Sequence, residues 1–223
     1  MDQFGAIFDL DGTLVDSCTC HERAWMAVGD SVGIPVTREF FLRFFGRPNT
    51  PIIEALFGEA GRATPDAPTI ARLADQKESI FRTLLGGTFP IMPGTHQLLD
   101  ALHDDDWLVA IGSSAPPVNV DFMLRGIAPR HAFDAIVTGD CVAKGKPHPD
   151  VFLEAASRLE LAPNECVVIE DALPGIEAAH RAGMHCVALC SAGHTREELA
   201  AADLIVHHLD ELSPSRLQSL IYL

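Results

Sequence analysis

The chain has 223 residues, 48% of them hydrophobic, and a formal net charge of −15. That length suits one large domain or a core with a smaller insert, and the apolar content excludes global disorder. The acidic balance excludes nucleic acid as a partner, because a phosphate backbone needs a basic face.

No apolar run reaches the ~20 residues that a membrane span needs, so no membrane association is expected. Strand-like sequence begins at once, without a basic segment and apolar signal core, so a cytoplasmic location is expected. The six cysteines include no Cys-x-x-Cys pair, and reduced thiols are expected.

The first element is an apolar run from Phe4 to Phe8, which reads as a short buried strand. Asp9 and Asp11 follow where it ends. Residues two apart in an extended chain point to the same side, and Gly12 permits the turn that comes next. Unpaired buried charge costs several kcal/mol, so two acids at this place call for a partner or a cation. From residue 17 to 85 the periodicity is helical. His21, Ala24, Trp25 and Val28 share one face, and Ile70, Leu73, Lys77, Ile80, Phe81 and Leu84 mark a second amphipathic helix. Breakers at Gly33-Ile34-Pro35, Gly46-Arg47-Pro48 and 61–68 separate the helices. We therefore expect a helical cap over residues 16–83, inserted into a core formed by 1–15 and 84–223. Gly86-Gly87 and Pro90 to Gly94 mark the return.

Four more strand-like runs follow, at 108–111, 135–137, 166–169 and 186–189, with helical segments at 116–126, 150–159 and 174–183 between them. Strands alternating with helices predict an α/β fold, a parallel sheet with helices on both faces. Asp104-Asp105-Asp106 reads as a solvated turn, and His207-His208 as surface. The second strand ends in Gly112-Ser113-Ser114, whose hydroxyls and free N–H groups before a helix suit an anion or a helix cap equally. After the third comes Lys144-Gly145-Lys146-Pro147-His148-Pro149, a cation beside two stiffening prolines. The fourth ends in Glu170-Asp171, again two acids on a buried strand.

Asp9-Leu10-Asp11-Gly12-Thr13, Ser113, Lys146-Pro147-His148-Pro149 and Glu170-Asp171, in that order, resemble the haloacid dehalogenase superfamily of phosphotransferases, and the resemblance covers the whole chain. It implies a Rossmann-like core with a four-helix type cap after the first motif. The dehalogenases themselves use a single Asp in this region, so Asp11 points to phosphoryl transfer. The resemblance implies Mg²⁺ held by the Asp9 carboxylate, the Asp11 backbone carbonyl, Glu170 and Asp171. It implies that Asp9 attacks phosphorus to form an aspartyl phosphate, and that Asp11 protonates the leaving oxygen and then deprotonates water. Ser113 and the backbone at Ser114 would hold the phosphoryl oxygens, with Gly12 and Thr13 beside them and Lys146 bridging to Asp9. The chemistry needs these cations: at about 4 Å two unit charges repel by about 4 kcal/mol at an effective dielectric of about 20, and a phosphate dianion doubles this. Asp11 needs a proton at neutral pH against a reference pKa near 3.9, so either its surroundings raise that value or the cap gates it.

Within the superfamily the chain is similar to the β-phosphoglucomutase-like group. His21-Glu22-Arg23-Ala24-Trp25 resembles that group's His-x-Arg-Ala-Trp run, and Lys77 falls where it carries a cap lysine. Two departures stand out. Asn49 takes the place of the mutases' cap-loop arginine, which grips a second phosphate, and Arg47 lies two residues away. Ala115-Pro116-Pro117 replaces their Ser-Lys-Asn. The expectation is a Mg²⁺-dependent phosphatase acting on a small phosphorylated metabolite, a sugar phosphate, with His21, Arg47, Asn49 and Lys77 as cap contacts and a monomeric or weakly dimeric state. A β-phosphoglucomutase is the alternative. A phospho-accepting receiver module shares the acidic pocket but has no cap, and an insert of ~65 residues argues against it.

Overall fold

The computed structural model describes residues 3–86, 89–127, 133–191 and 193–222; Gly87, half of the expected return to the core, lies outside them. Short apolar runs form the strands β1 (Gly5–Phe8), β2 (Leu108–Gly112), β3 (Ala135–Val137), β4 (Cys166–Glu170) and β5 (His185–Leu189), matching the five expected from sequence. A sixth, β6 (Leu204–Val206), was not expected. Three residues between Asp203 and His207 are too short a run to read from pattern. All pair in parallel in the order β3-β2-β1-β4-β5-β6.

Strand side chains alternate between two cores. Ala6 and Phe8 join Val109, Ile111, Val167 and Ile169 on one face, whereas Ile7 joins Ala110, Val168 and Ala188 on the other. Both faces are buried, which is why these strands read as continuous apolar runs. The first face is covered by α5 (Thr95–Asp104), α6 (Pro117–Ile127) and α9 (Pro214–Ile221), through residues such as Leu98, Leu102, Val120, Met123 and Leu217. The second is covered by α7 (Asp150–Arg158) and α8 (Leu173–Arg181), through Phe152, Ala155, Ile176 and Ala179. Helices α5 and α9 lie beyond the predicted elements.

Between β1 and α5 the chain forms α1 (Cys18–Ser31), α2 (Arg38–Phe44), α3 (Asn49–Glu59) and α4 (Ala67–Leu85). Asp66 caps α4 by accepting from Thr69 N at 3.0 Å, and Thr37 caps α2 by accepting from Phe40 N at 3.1 Å. His21, Ala24, Trp25 and Val28 are all buried, as the helical spacing predicts. So are Leu73, Lys77 and Phe81; Ile70, Ile80 and Leu84 are half-buried. Trp25, Val28, Phe41, Ile53 and Leu73 build a third, separate core, while Ala24, Phe81 and Leu85 join the main one. Asp104 closes α5, and Asp105 and Asp106 form the exposed turn. His207 and His208 are exposed. No described helix is long and apolar enough to cross a membrane.

Phe152 is fully buried under the sheet, and its ring lies 4.7 Å from Lys146 Nζ. Phe152→Ala is expected to lower stability by about 3–5 kcal/mol, read as a lower urea midpoint, because the cavity lies in a close-packed layer. Activity should fall with it, since the Lys146 stem loses its support.

Candidate active site

The site follows from strand adjacency. Phe8 pairs with Ile111 on one side and with Ile169 on the other. The residues just past these pairs, Asp9, Gly112 and Glu170, therefore lie side by side at the carboxyl edge of the sheet. From β1 the chain proceeds outward through β2 and β3, and from β4 outward through β5 and β6. The gap between β1 and β4 is thus the switch point, where open α/β sheets bind ligands.

Three carboxylates crowd this point around one lysine. Lys146 Nζ donates to Asp9 Oδ1 at 2.5 Å and to Glu170 Oε1 at 2.8 Å. Glu170 Oε2 accepts from the backbone N–H groups of Asp171 and Ala172, each at 2.7 Å. Oxygens of Asp9, Glu170 and Asp171 lie within 4.8 Å of one another. Burial pushes the Asp9 carboxyl up to about 7, against the pull of Lys146 and helped by Glu170 and Asp11. Burial, with Glu170 and Asp9, also pushes Asp171 well up. Burial works against the Lys146 ammonium, but Asp9 and Glu170 outweigh it and hold its pKa above the ordinary lysine range. Three buried acids against one cation form a hard-oxygen set with surplus negative charge, and such a set fits a divalent ion. Gly12 makes the crowding possible: its φ is +81°, and a Cβ there would stand 2.0 Å from Asp171 Oδ2.

Asp11 faces the cap. Its Oδ1 accepts from Ser17 Oγ at 2.6 Å and lies 2.7 Å from His21 Nε2. Burial alone would raise this carboxyl, but His21, Ser17 and the charge of Lys77 outweigh it and hold it below the usual range. Of the two routes left open by the sequence, raised pKa is therefore not the one found in this arrangement. Lys77 Nζ lies 2.8 Å from His21 Nδ1 and donates to Glu78 Oε1 at 2.9 Å. His21 also stacks on Phe81, centroid to centroid 3.8 Å. Asn49 Nδ2 donates to the same Glu78 oxygen at 2.7 Å.

Asp9, Asp11, His21, Arg47, Asn49, Lys77, Ser113 and Ser114 all line one cleft, which holds about 510 Å³ of empty space with its mouth included. Lys146, Glu170 and Asp171 are buried next to Asp9, and Thr13 is buried in the turn that follows Asp11. Ser113 N donates to Val137 O at 3.0 Å and its Oγ accepts from Ala115 N at 3.1 Å. The hydroxyls of Thr13 and Ser114 and the Nε of Arg47 are buried without a partner. Orphaned groups of this kind are expected where a ligand supplies the missing bonds. Two residues escaped the sequence reading, Glu78 and Asn119, whose Nδ2 donates to Glu78 Oε2 at 2.5 Å. A signal existed: Glu78 sits on the stripe that carries Ala74, Phe81 and Leu85, where an apolar residue belongs.

The raised Asp9 carboxyl has a consequence for stability. An acid whose pKa is higher folded than unfolded binds an extra proton when folded, so its contribution is lost as pH rises through that window. Here the window runs from the ordinary aspartate value of about 3.9 to about 7. In chelator, the stability of Asp9→Asn relative to the unmodified protein is expected to grow across this window by up to about 1.4 kcal/mol per pH unit. Urea unfolding at several pH values measures it, and a difference that does not change with pH would contradict it.

Comparison with known proteins agrees with this geometry. The family model described as "Haloacid dehalogenase-like hydrolase" matches residues 6–189. The chain is 33% identical to a chloroplastic 5-amino-6-(5-phospho-D-ribitylamino)uracil phosphatase of Arabidopsis thaliana, over 94% of this chain but only 55% of that protein's length. It is also 33% identical to the β-phosphoglucomutase of Bacillus subtilis, over 93% of this chain and 90% of the other. Among solved structures, a β-phosphoglucomutase from Clostridium difficile superposes with a TM-score of 0.88 at 25% identity, covering 99% of this chain and 97% of that one. The matched span reaches from the first strand through the fifth and includes every core motif, and with it the chain belongs to the haloacid dehalogenase-like hydrolases.

Proposed function

We propose that the protein is a Mg²⁺-dependent phosphatase of small phosphorylated metabolites, sugar phosphates in class, working through an aspartyl phosphate on Asp9. The observation that carries this reading is the pairing of two acids with different surroundings in one cleft. Asp9 sits against Lys146 at the switch point, and Asp11, two residues on, is held by Ser17 and His21.

In the first step an Asp9 oxygen bonds to phosphorus while the bond from phosphorus to the ester oxygen breaks. Asp11, carrying a proton in a cap arrangement where His21 and Ser17 do not hold it ionised, gives that proton to the leaving oxygen. In the second step water attacks phosphorus, the bond to Asp9 breaks, and Asp11 takes the proton from water. The Asp11 carboxylate described above is in the state required for this second step. Lys146 neutralises Asp9 and the phosphoryl oxygens, and Thr13, Ser113 and Ser114 supply hydroxyls and N–H groups to them. Asp9, Glu170 and Asp171, with the Asp11 carbonyl, would hold Mg²⁺, which when bound offsets the charge that a phosphate dianion brings next to a carboxylate. His21, Arg47, Asn49 and Lys77 meet the rest of the substrate from the cap formed by α1 to α4. With a charge of −15, a cytoplasmic monomer or weak homodimer without nucleic-acid partners completes the reading.

A phosphomutase is the second reading, and Arg47 is what favours it. Its buried, unpartnered Nε offers a cation for a second phosphate, although it stands two positions from the mutases' arginine. Asn49 and Ala115-Pro116-Pro117 weigh against it. Two lost charge-assisted contacts, each worth ~1.5–3 kcal/mol, weaken capture of a bisphosphate on the order of 10²- to 10⁴-fold.

Following both products from β-glucose 1-phosphate decides between the two. Inorganic phosphate is expected, with little glucose 6-phosphate even when the reaction is primed with the bisphosphate; faster formation of glucose 6-phosphate would reverse the choice. Turnover should stop in chelator and return with Mg²⁺. Asp9→Asn should lose about 10⁴-fold or more of the rate with its fold intact. Asp11→Asn should keep some phosphorylation by p-nitrophenyl phosphate, whose leaving group needs little acid help.

A further inference from the structure

A phosphate-binding cleft has most reason to carry cations, yet this one carries a buried acid on its cap side. Glu78 lies in the same cleft wall as Lys77 and Asn49, and the cleft also contains Ser113, Ser114 and Ala115. Its Oε1 accepts from Lys77 Nζ and Asn49 Nδ2, and its Oε2 accepts from Asn119 Nδ2 on α6. Asn119 is fixed in turn, its Oδ1 accepting from Arg82 at 2.6 Å. Three donors from three helices leave the carboxylate no freedom to turn away. Burial pushes its pKa up, but the charges of Lys77 and His21 and the hydrogen bonds outweigh this and hold it below the usual glutamate range. It is therefore an anion at neutral pH.

We infer that Glu78 sets the selectivity of this cleft: by cancelling the Lys77 charge and fixing Asn49, it favours the hydroxyls of a sugar monophosphate and disfavours a second phosphate. The inference rests on the phosphatase reading and deepens it. Asn49 donates to Glu78 and keeps Oδ1 as an acceptor. A sugar hydroxyl can donate to that oxygen, whereas a phosphate dianion only accepts. The Glu78 charge repels the dianion in a partly desolvated volume, where screening is weak. Arg47 pulls the other way from the same cleft, so the balance between the two side chains decides whether a second phosphate is held.

Calorimetric titration of Asp9→Asn protein in Mg²⁺, which does not turn over, measures this without chemistry. The probes are glucose 6-phosphate and glucose 1,6-bisphosphate. The bisphosphate is expected to bind no more tightly than the monophosphate. Adding Glu78→Gln should shift the ratio of the two affinities toward the bisphosphate by about tenfold or more, equivalent to about 1.4 kcal/mol. Asn119→Ala, which removes a hydrogen bond but keeps the charge, should lower the melting temperature and leave the ratio alone; a structural role for Glu78 would move both variants alike. A bisphosphate bound at least about tenfold more tightly than the monophosphate before Glu78 is changed overturns the inference. That comparison decides by itself if Glu78→Gln does not fold. A ratio that Glu78→Gln leaves unmoved, or no binding of either probe, overturns it too. The phosphatase reading fails separately, by absence of phosphate release from the unmodified enzyme.

Discussion

Three buried carboxylates gathered around one lysine are the constraint on which the rest of this structure depends. Asp9, Glu170 and Asp171 share the carboxyl edge of the sheet, and among the described residues Lys146 is the buried cation that pairs with Asp9 and Glu170. Leaving such charge unpaired costs several kcal/mol, so the surroundings are built to manage it. Two backbone N–H groups are spent on Glu170. The peptide after Asp11 carries no side chain, because Gly12 packs against the Asp171 carboxylate. Gly175 is required in the same way: a Cβ there would meet Glu170 Oε1 at 1.8 Å. Phe152 props Lys146 from the far side of the sheet. The residual negative charge is a standing demand for a cation. That couples metal, phosphate and fold in one place.

The cap repeats the logic with opposite emphasis. Asp11, His21, Lys77 and Glu78 form a continuous polar chain from the sheet edge into α1 and α4, with acids at both ends. Asn49 and Asn119 tie its far end to α3 and α6. Buried polar chains are favourable only when every member is satisfied. Polar groups outside this chain that have no partner, at Thr13, Ser114 and Arg47, are therefore informative, since Ser114 and Arg47 line the cleft and Thr13 sits in the turn that follows Asp11. Stability and function draw on the same residues here. A substitution at Lys77 or Glu78 alters both the hydrogen bonds that join α4 to α1, α3 and α6 and the charge in the cleft wall.

Much of this was legible in the sequence, and the reasons are local. Strands buried on both faces read as apolar runs, and helices α1 and α4 announce themselves by spacing, because both signals repeat within a few residues. Asp9, Asp11, Ser113, Glu170 and Asp171 sit at or just past the ends of such runs, and Lys146 lies in the proline-stiffened loop after the third, so all are identifiable without coordinates. The demand they make is legible too, since two pairs of acids on buried strands call for a partner or a cation. Strand β6 was not legible, because three residues at a sheet edge carry too little pattern.

What the sequence by itself determined is therefore the inventory: the first five strands, the helical segment after the first of them, and the acids and lysine that gather at the sheet edge. What only the tertiary structure decided is adjacency. The order that sets β1 between β2 and β4 depends on crossovers spanning many residues, and no local pattern encodes which strand ends become neighbours. The pKa of Asp11 belongs to the same class. Burial pushes it one way and His21 the other, and their balance exists only once a residue ten positions away has folded back to 2.7 Å. Glu78 is the clearest case. Its place on the apolar stripe of α4 marks it as unusual, but only the packing of α4 against α3 and α6 supplies the donors that hold it as a buried anion in the wall of the cleft.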